Sequence, residues 1–312
     1  MTLDLIVQLL IFAISLVVLA SASHFTIKSI EKIVEFTGLS ELSAGFVIVA
    51  VLTSTPEIVV ALFSVLQGNP GISIGDIVGS NVFNVGAVLG ILGMLGYLKT
   101  CCTELLVELT DILFLTSLIP LLLVIFKVFS SIVGAILLGT FLINIYFVAK
   151  KRTPTVKVNK STALGEESKK RVVAVLILSF ACVFIAARLV VSSGINIAGV
   201  LGVPPILIGA KVVSIGTSLP ELTLDLAAVR RGRFQLAIGG ILGSNLTNLT
   251  LVLGLVLLTS PFAVDMTIFI EILPFLLITT IIFWRFLTRG GVSKVGGIIL
   301  IMTYILFQAV VV

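Results

Sequence analysis

The sequence predicts an all-α polytopic membrane protein, with ten transmembrane helices in two inverted five-helix repeats. Three observations carry that expectation. The 312-residue chain is 58% hydrophobic and 11% charged, where a soluble domain has about 25% charged residues. The segment Thr53-Ser54-Thr55-Pro56-Glu57 returns as Thr217-Ser218-Leu219-Pro220-Glu221, both inside apolar stretches. The Lys and Arg residues gather in alternate loops.

Apolar stretches of ~20 residues, the length that crosses a bilayer, fill nearly the whole chain. The mean hydropathy is +1.28. Almost no strand-length alternation appears, which argues against a β-barrel. The spans are expected at 4–26, 42–67, 71–97, 104–125, 129–149, 171–193, 203–229, 234–259, 263–286 and 292–311. Within 104–149 only Lys127 and a few polar neighbours separate two spans. The first span carries Asp4 and no basic leader, so it reads as a retained helix and not a cleaved signal.

The duplication extends beyond the first motif. Gly79-Ser80-Asn81-Val82-Phe83-Asn84 matches Gly243-Ser244-Asn245-Leu246-Thr247-Asn248, and an offset of 164 positions superposes both motifs without a gap. The same offset lays Gly38 on Gly202, Gly45 on Gly209, Gly75 on Gly239 and Gly90 on Gly254. Shared apolarity alone would not keep polar residues and glycines in step, so the chain carries an internal repeat. An odd number of spans per copy inserts the halves with opposite orientation. The expected organisation is 1–149 as the first half, 150–170 as a basic linker and 171–312 as the second half.

Charge sets the orientation. With the N-terminus outside, 17 of the 20 Lys and Arg residues fall on the inner side, leaving Lys127, Arg188 and Lys211 elsewhere. The positive-inside rule then places both termini outside the cell membrane and the linker in the cytosol. The net charge of +5 follows from topology, and no nucleic-acid patch is visible. The linker reads as a hinge with orientation charges, or else as a polybasic lipid-binding segment. Cys101, Cys102 and Cys182 lack metal-ligand spacing. His24, near the inner end of the first span, is a satisfied or solvated residue, with proton sensing as the sharper reading. Glu104, Glu108 and Asp111 read as interfacial.

A carboxylate inside a membrane helix costs about 2.5–3.5 kcal/mol on insertion scales, so Glu57 and Glu221 are functional by default. Each follows a proline expected to interrupt its helix. Pro56 cannot donate to the carbonyl of Leu52, nor Pro220 to that of Gly216, which frees backbone oxygens as ligands. Thr53 and Glu57 lie four apart on one helical face, as do Thr217 and Glu221. Ser80 and Asn84, and likewise Ser244 and Asn248, repeat that spacing. Small polar residues also serve helix packing, but two symmetry-matched glutamates beside them favour an all-oxygen cation pocket. Hard cations suit it, Ca²⁺ taking six to eight oxygens. The absence of imidazole and thiolate from the motifs argues against zinc and copper. Two glutamates balance one divalent ion or two monovalent ones. Asp76, Asp225 and Lys211 break the symmetry, their mates being Gly240, Ala61 and Val47. They read as mouth-lining or ion-paired groups.

At these motifs the chain resembles the cation/Ca²⁺ exchanger superfamily, in its prokaryotic sodium/calcium-exchanger-like branch. Residues 38–90 and 202–254 look like that family's two repeats. The resemblance implies a ten-helix fold whose second, third, seventh and eighth helices enclose the ions while the first and sixth slide. It implies Glu57 and Glu221 as shared Ca²⁺ ligands, with Thr53 and Thr217 assisting. Ser54, Ser80, Ser218 and Ser244 would form flanking Na⁺ sites with backbone oxygens of Ala50 and Ser214. Asn84 and Asn248 would take the central position. No cofactor is implied beyond the transported Ca²⁺ and Na⁺ or H⁺. Two departures stand out. The first copy reads Leu52-Thr53-Ser54-Thr55 where the family has Gly-Thr-Ser-Leu, and Asn248 stands where some exchangers carry Asp.

The expected function is therefore secondary antiport of Ca²⁺ against Na⁺ by alternating access. The alternative is H⁺/Ca²⁺ exchange on the same glutamates, although the Gly-Asn-Ala-Glu-type motif of the proton branch is absent. A cation channel is more remote, because paired interrupted helices in an inverted repeat suit alternating access. No protease or zinc-enzyme arrangement is present, so an enzyme is not expected. Oligomeric state is not encoded in these motifs.

Overall fold

A computed structural model describes residues 2–37, 53–98, 104–126, 130–150, 166–230, 232, 234–260 and 266–311. All regular structure among them is helical. The helices are α1 (Thr2–Thr37), α2 (Thr55–Leu66), α3 (Pro70–Met94), α4 (Glu104–Phe126), α5 (Ser131–Lys150) and α6 (Glu166–Leu201). They continue as α7 (Pro205–Arg230), α8 (Phe234–Thr259), α9 (Met266–Thr288) and α10 (Lys294–Val310). Seven are long and apolar enough to cross a membrane; α2, α5 and α10 contribute shorter apolar lengths among the described residues. The chain is a multi-pass membrane protein.

Chain breaks follow from local chemistry. Gly68 (φ 69°) ends α2, and its N–H caps the carbonyl of Val65. Only glycine takes that left-handed backbone without a Cβ penalty. Its repeat mate Gly232 (φ 75°) ends α7 in the same way, donating to Val229. Pro70 opens α3 and Pro205 opens α7, each at a first-turn position that needs no N–H donor.

Two sequence expectations need correction. The helix does not break at Pro220: Ser214–Arg230 is continuous, and the lost N–H costs one bond rather than the helix. The irregularity lies earlier, in a π-helical turn at Gly209–Val213. At the first copy the described chain begins at Thr53, and Pro56 sits in the first turn of α2. Also, α1 and α6 extend well past the expected ends at 26 and 193. Lys28 and Lys32 mark where apolar sequence stops, but a helix needs a backbone breaker to stop, and Gly202 with Pro204 supplies one for α6. Ala50, Cys101, Cys102, Lys127 and most of the 150–170 linker lie outside the described residues.

α3 and α8 are buried along nearly their whole length and form the centre. α2 and α7 pack against them, while α1 pairs with α6 at the periphery and α4 pairs with α9. α10 packs on the end of α3, and α5 packs on the end of α8. Large side chains such as Ile14, Val17, Ile132 and Leu178 face outward, where lipid rather than water is their solvent. Lipid is as apolar as leucine, so close packing and interhelical hydrogen bonds must hold such helices together.

The glycines allow that packing. A Cβ on Gly75 would collide with the Ile206 carbonyl, and one on Gly79 with that of Ala210. Gly209 in turn lies against the Ile72 carbonyl. α3 and α7 therefore touch backbone to backbone beside the glutamates. The apolar interior falls into two clusters. One joins α3, α4, α8, α9 and α10 around Ile77, Leu249, Phe269 and Phe307. The other joins α1 and α6 to α2 through Phe12, Leu19, Val60, Val183 and Val190.

Candidate cation site

Glu57 sits in the first turn of α2 and is fully buried. Neither carboxylate oxygen has a hydrogen-bond partner among the described residues. Glu221, 2% exposed, projects from the middle of α7. Its Oε1 accepts from Ser244 Oγ at 3.3 Å, and its Oε2 has no partner among the described residues.

The repeated motifs meet crosswise. Ser54 Oγ of the first copy lies 3.1 Å from Ser244 Oγ of the second. Ser80 Oγ of the first lies 3.3 Å from Thr217 Oγ1 of the second. Asn84 Nδ2 donates to Asn245 Oδ1 at 3.0 Å, and Asn245 Nδ2 donates to the Asn81 carbonyl at 3.3 Å. Asn84 and Asn248 each open a π-helical turn, Asn84–Leu89 and Asn248–Val252. Such turns reset the helix register and recur at functional sites. The Ser214 carbonyl faces Thr217 Oγ1 at 3.3 Å. Thr53 and Ser218 are also buried.

Among the described residues, unpartnered acceptors outnumber unpartnered donors around these motifs, where the donors are Asn248 Nδ2 and Ser218 Oγ. Besides the glutamate oxygens, Asp76 Oδ2, Asn81 Oδ1, Asn84 Oδ1, Asp225 Oδ2 and Asn248 Oδ1 are buried without a partner among the described residues. An unsatisfied buried polar atom costs roughly 1–3 kcal/mol, and more when charged. Lys211 does not relieve this, because its Nζ donates to the Gln308 carbonyl at 3.1 Å. A cation would satisfy several of these oxygens at once. No three His, Cys, Asp or Glu side chains cluster as a metal site among the described residues. A bound ion would therefore draw on hydroxyl, amide and backbone oxygens as well as the two glutamates.

Sequence reasoning missed two features. Asp76, expected to line a mouth or to be ion-paired, accepts from Thr217 Oγ1 at 2.9 Å and from Ser80 Oγ at 3.3 Å. Its four-residue spacing from Ser80 was the available signal. Asn81 and Asn245, matched in the repeat but given no role, help clasp α3 to α8. Asp225 lies beyond Glu221, with Oδ1 3.2 Å from where a Cβ of Gly240 would sit. Elsewhere, His24 Nδ1 stands 3.4 Å from Thr223 Oγ1, and Trp284 Nε1 donates to Asp111 at 2.7 Å.

A family model described as sodium/calcium exchanger protein matches residues 7–150 and 171–312. The sodium/calcium exchanger MaX1 of Methanosarcina acetivorans is 28% identical, over 97% of this chain and 98% of its own length. The putative antiporter CaxA of Alkalimonas amylolytica is 26% identical, with 97% and 98% covered. Among solved structures, the sodium-calcium exchanger NCX_Mj soaked with 10 mM Na⁺ and zero Ca²⁺ superposes with a TM-score of 0.69. It is 26% identical, and the match spans 99% of this chain and 100% of that one. The crosswise polar motifs, the helical membrane architecture and these matches lead to one assignment: the chain belongs to the sodium/calcium exchanger protein family, a family of transporters and not of enzymes.

Proposed function

We propose that the protein is a secondary antiporter exchanging Ca²⁺ for Na⁺ by alternating access around one midplane, all-oxygen site. The observation that carries this reading is the pair of buried glutamates at identical repeat positions, with three of their four oxygens unpartnered among the described residues. Ca²⁺ bridges Glu57 and Glu221 and completes its shell from Thr53, Thr217 and the central amides of Asn84 and Asn248. Na⁺ occupies flanking positions made by Ser54, Ser80, Ser218 and Ser244 with the carbonyls of Ala50 and Ser214. Either load compensates the glutamates, whereas an empty pocket leaves buried charge unpaired, so crossing the membrane requires a load.

The ten helices form two inverted halves, 1–149 and 171–312, with both termini extracellular and 150–170 cytosolic. Reciprocal packing supports this arrangement. Gly90 of α3 approaches Gly297 of α10, and its repeat mate Gly254 of α8 approaches Gly134 of α5. The pairing of α1 with α6 at the periphery supports their movement as a unit across the site-bearing helices.

The test is Ca²⁺ flux into proteoliposomes under separately imposed gradients. An outward Na⁺ gradient with no pH gradient should drive Ca²⁺ uptake. Uptake driven only by a proton gradient would replace Na⁺ with H⁺ as coupling ion. Flux at channel rates without a counter-ion would remove antiport altogether.

A further inference from the structure

Asn81 and Asn84 stand three apart on one face of α3, and Asn245 of α8 bonds to both. Asn245 Nδ2 donates to the Asn81 carbonyl at 3.3 Å, and Asn245 Oδ1 accepts from Asn84 Nδ2 at 3.0 Å. All three side chains are at most 1% exposed, so bulk water is no substitute partner. The direction of these bonds is dictated by chemistry. A backbone carbonyl only accepts, so the Asn81 carbonyl requires the nitrogen end of Asn245. The other end of Asn245 is then oxygen, which also only accepts. Asn84 answers with Nδ2, and its Oδ1 is left buried with no partner among the described residues.

The other half of the repeat lacks this arrangement. The repeat mate of Asn245 is Asn81, and Asn81 Nδ2 donates to the Ile77 carbonyl of its own helix at 2.7 Å. Neither polar end of Asn248 has a partner among the described residues. Of the two central amides, Asn84 is thus held by a side chain of the opposite half, and Asn248 is not.

We propose that Asn245 is a positioning residue, which holds Asn84 with its oxygen and not its nitrogen turned to the transported ion. This rests on Asn84 being an ion ligand, and it names what sets that ligand's orientation. An amide can offer a cation an attractive carbonyl oxygen or a repulsive N–H. Fixing the oxygen end before the ion arrives removes the cost of ordering it on binding. Turning Asn84 over would set its Oδ1 against Asn245 Oδ1. Turning Asn245 over as well would set an oxygen against the Asn81 carbonyl, which belongs to the main chain and cannot turn.

The experiment is Ca²⁺ titration of purified, monodisperse, full-length protein in Na⁺-free buffer, as a double-mutant cycle. Asn84→Ala should weaken Ca²⁺ binding about tenfold, and Asn245→Leu at least about fivefold, because a freed Asn84 can turn its nitrogen inward. Asn245→Ala serves if the leucine protein is not monodisperse. In the Asn84→Ala background, Asn245→Leu should change Ca²⁺ affinity by less than about twofold. Its loss of melting temperature should persist there, since the bond to the Asn81 carbonyl is broken in either background. Asn245→Asp should bind Ca²⁺ at least as well as wild type. A carboxylate accepts from Asn84 Nδ2, and a neutral carboxylic acid does so while its O–H meets the Asn81 carbonyl.

Losses of affinity that multiply in the double variant would assign Asn245 to packing alone and overturn the proposal. So would wild-type affinity in Asn245→Leu or in Asn84→Ala, or an Asn245→Asp protein as weak as Asn245→Leu. Failure of the glutamate reading is seen separately, as retained Ca²⁺ binding in Glu57→Gln.

Discussion

Glu57 and Glu221 occupy the same place in two copies of one motif, yet their surroundings differ. Glu221 accepts a bond from Ser244 of its own half, whereas Glu57 has no partner among the described residues. The serine equivalent to Ser244 is Ser80, and its hydroxyl is drawn away from Glu57 by Asp76. The asymmetry begins with a single position, Asp76 against Gly240. Sequence symmetry thus sets where the two glutamates stand, and one unmatched side chain makes their surroundings differ.

The largest effects test what the two copies share. Glu57→Gln and Glu221→Gln should each weaken Ca²⁺ binding by two orders of magnitude or more in titrations of purified, monodisperse protein. Either change leaves one carboxylate against a doubly charged ion. The difference between the copies should appear in ion-free stability. Removing an unpartnered buried charge is often stabilising, so Glu57→Gln should raise the ion-free melting temperature more than Glu221→Gln. The reverse order would show that Glu57 is better compensated than its geometry indicates.

Next come the asparagines. Asn84 donates to Asn245, while both polar ends of Asn248 lack partners among the described residues. Asn84→Ala should cost about 1 kcal/mol of stability, the net worth of a typical hydrogen bond. Asn248→Ala should cost less in ion-free protein while still weakening ion binding. Equal losses of stability in denaturation would erase this distinction. Asn248→Asp adds a carboxylate at the centre and should strengthen Ca²⁺ binding severalfold. The smallest effect is expected at Lys211, whose partner is a neutral carbonyl. Lys211→Met should leave Ca²⁺ affinity within twofold, and a larger change would place its charge in the field of the site.

Much of this architecture was legible in the sequence, because a bilayer imposes a strong length rule and a duplication doubles every signal. The span expected at 234–259 coincides with α8. The crosswise meeting of Ser54 with Ser244 joins the two repeated motifs, with Ser244 singled out by spacing and Ser54 by the family resemblance. Hydropathy could not place the ends of α1 or α6, since it reports where lipid ends and not where backbone hydrogen bonding ends. The π-helical turns at Asn84 and Asn248 were invisible for a related reason: a register shift of one residue depends on what the helix packs against. Pro220 shows the limit of a residue rule, as its flanking turns keep the helix intact despite the missing donor. Asp76 was underestimated because its partner Thr217 lies 141 positions away.

The central claim is that Glu57 and Glu221 share one Ca²⁺ ion. Anomalous scattering from crystals soaked in Ca²⁺ without Na⁺ tests it most directly. The account predicts one strong peak between the two side chains, with oxygens of both residues at about 2.3–2.6 Å. A peak bound to Asp225 alone, or to one glutamate with the other turned away, would contradict it.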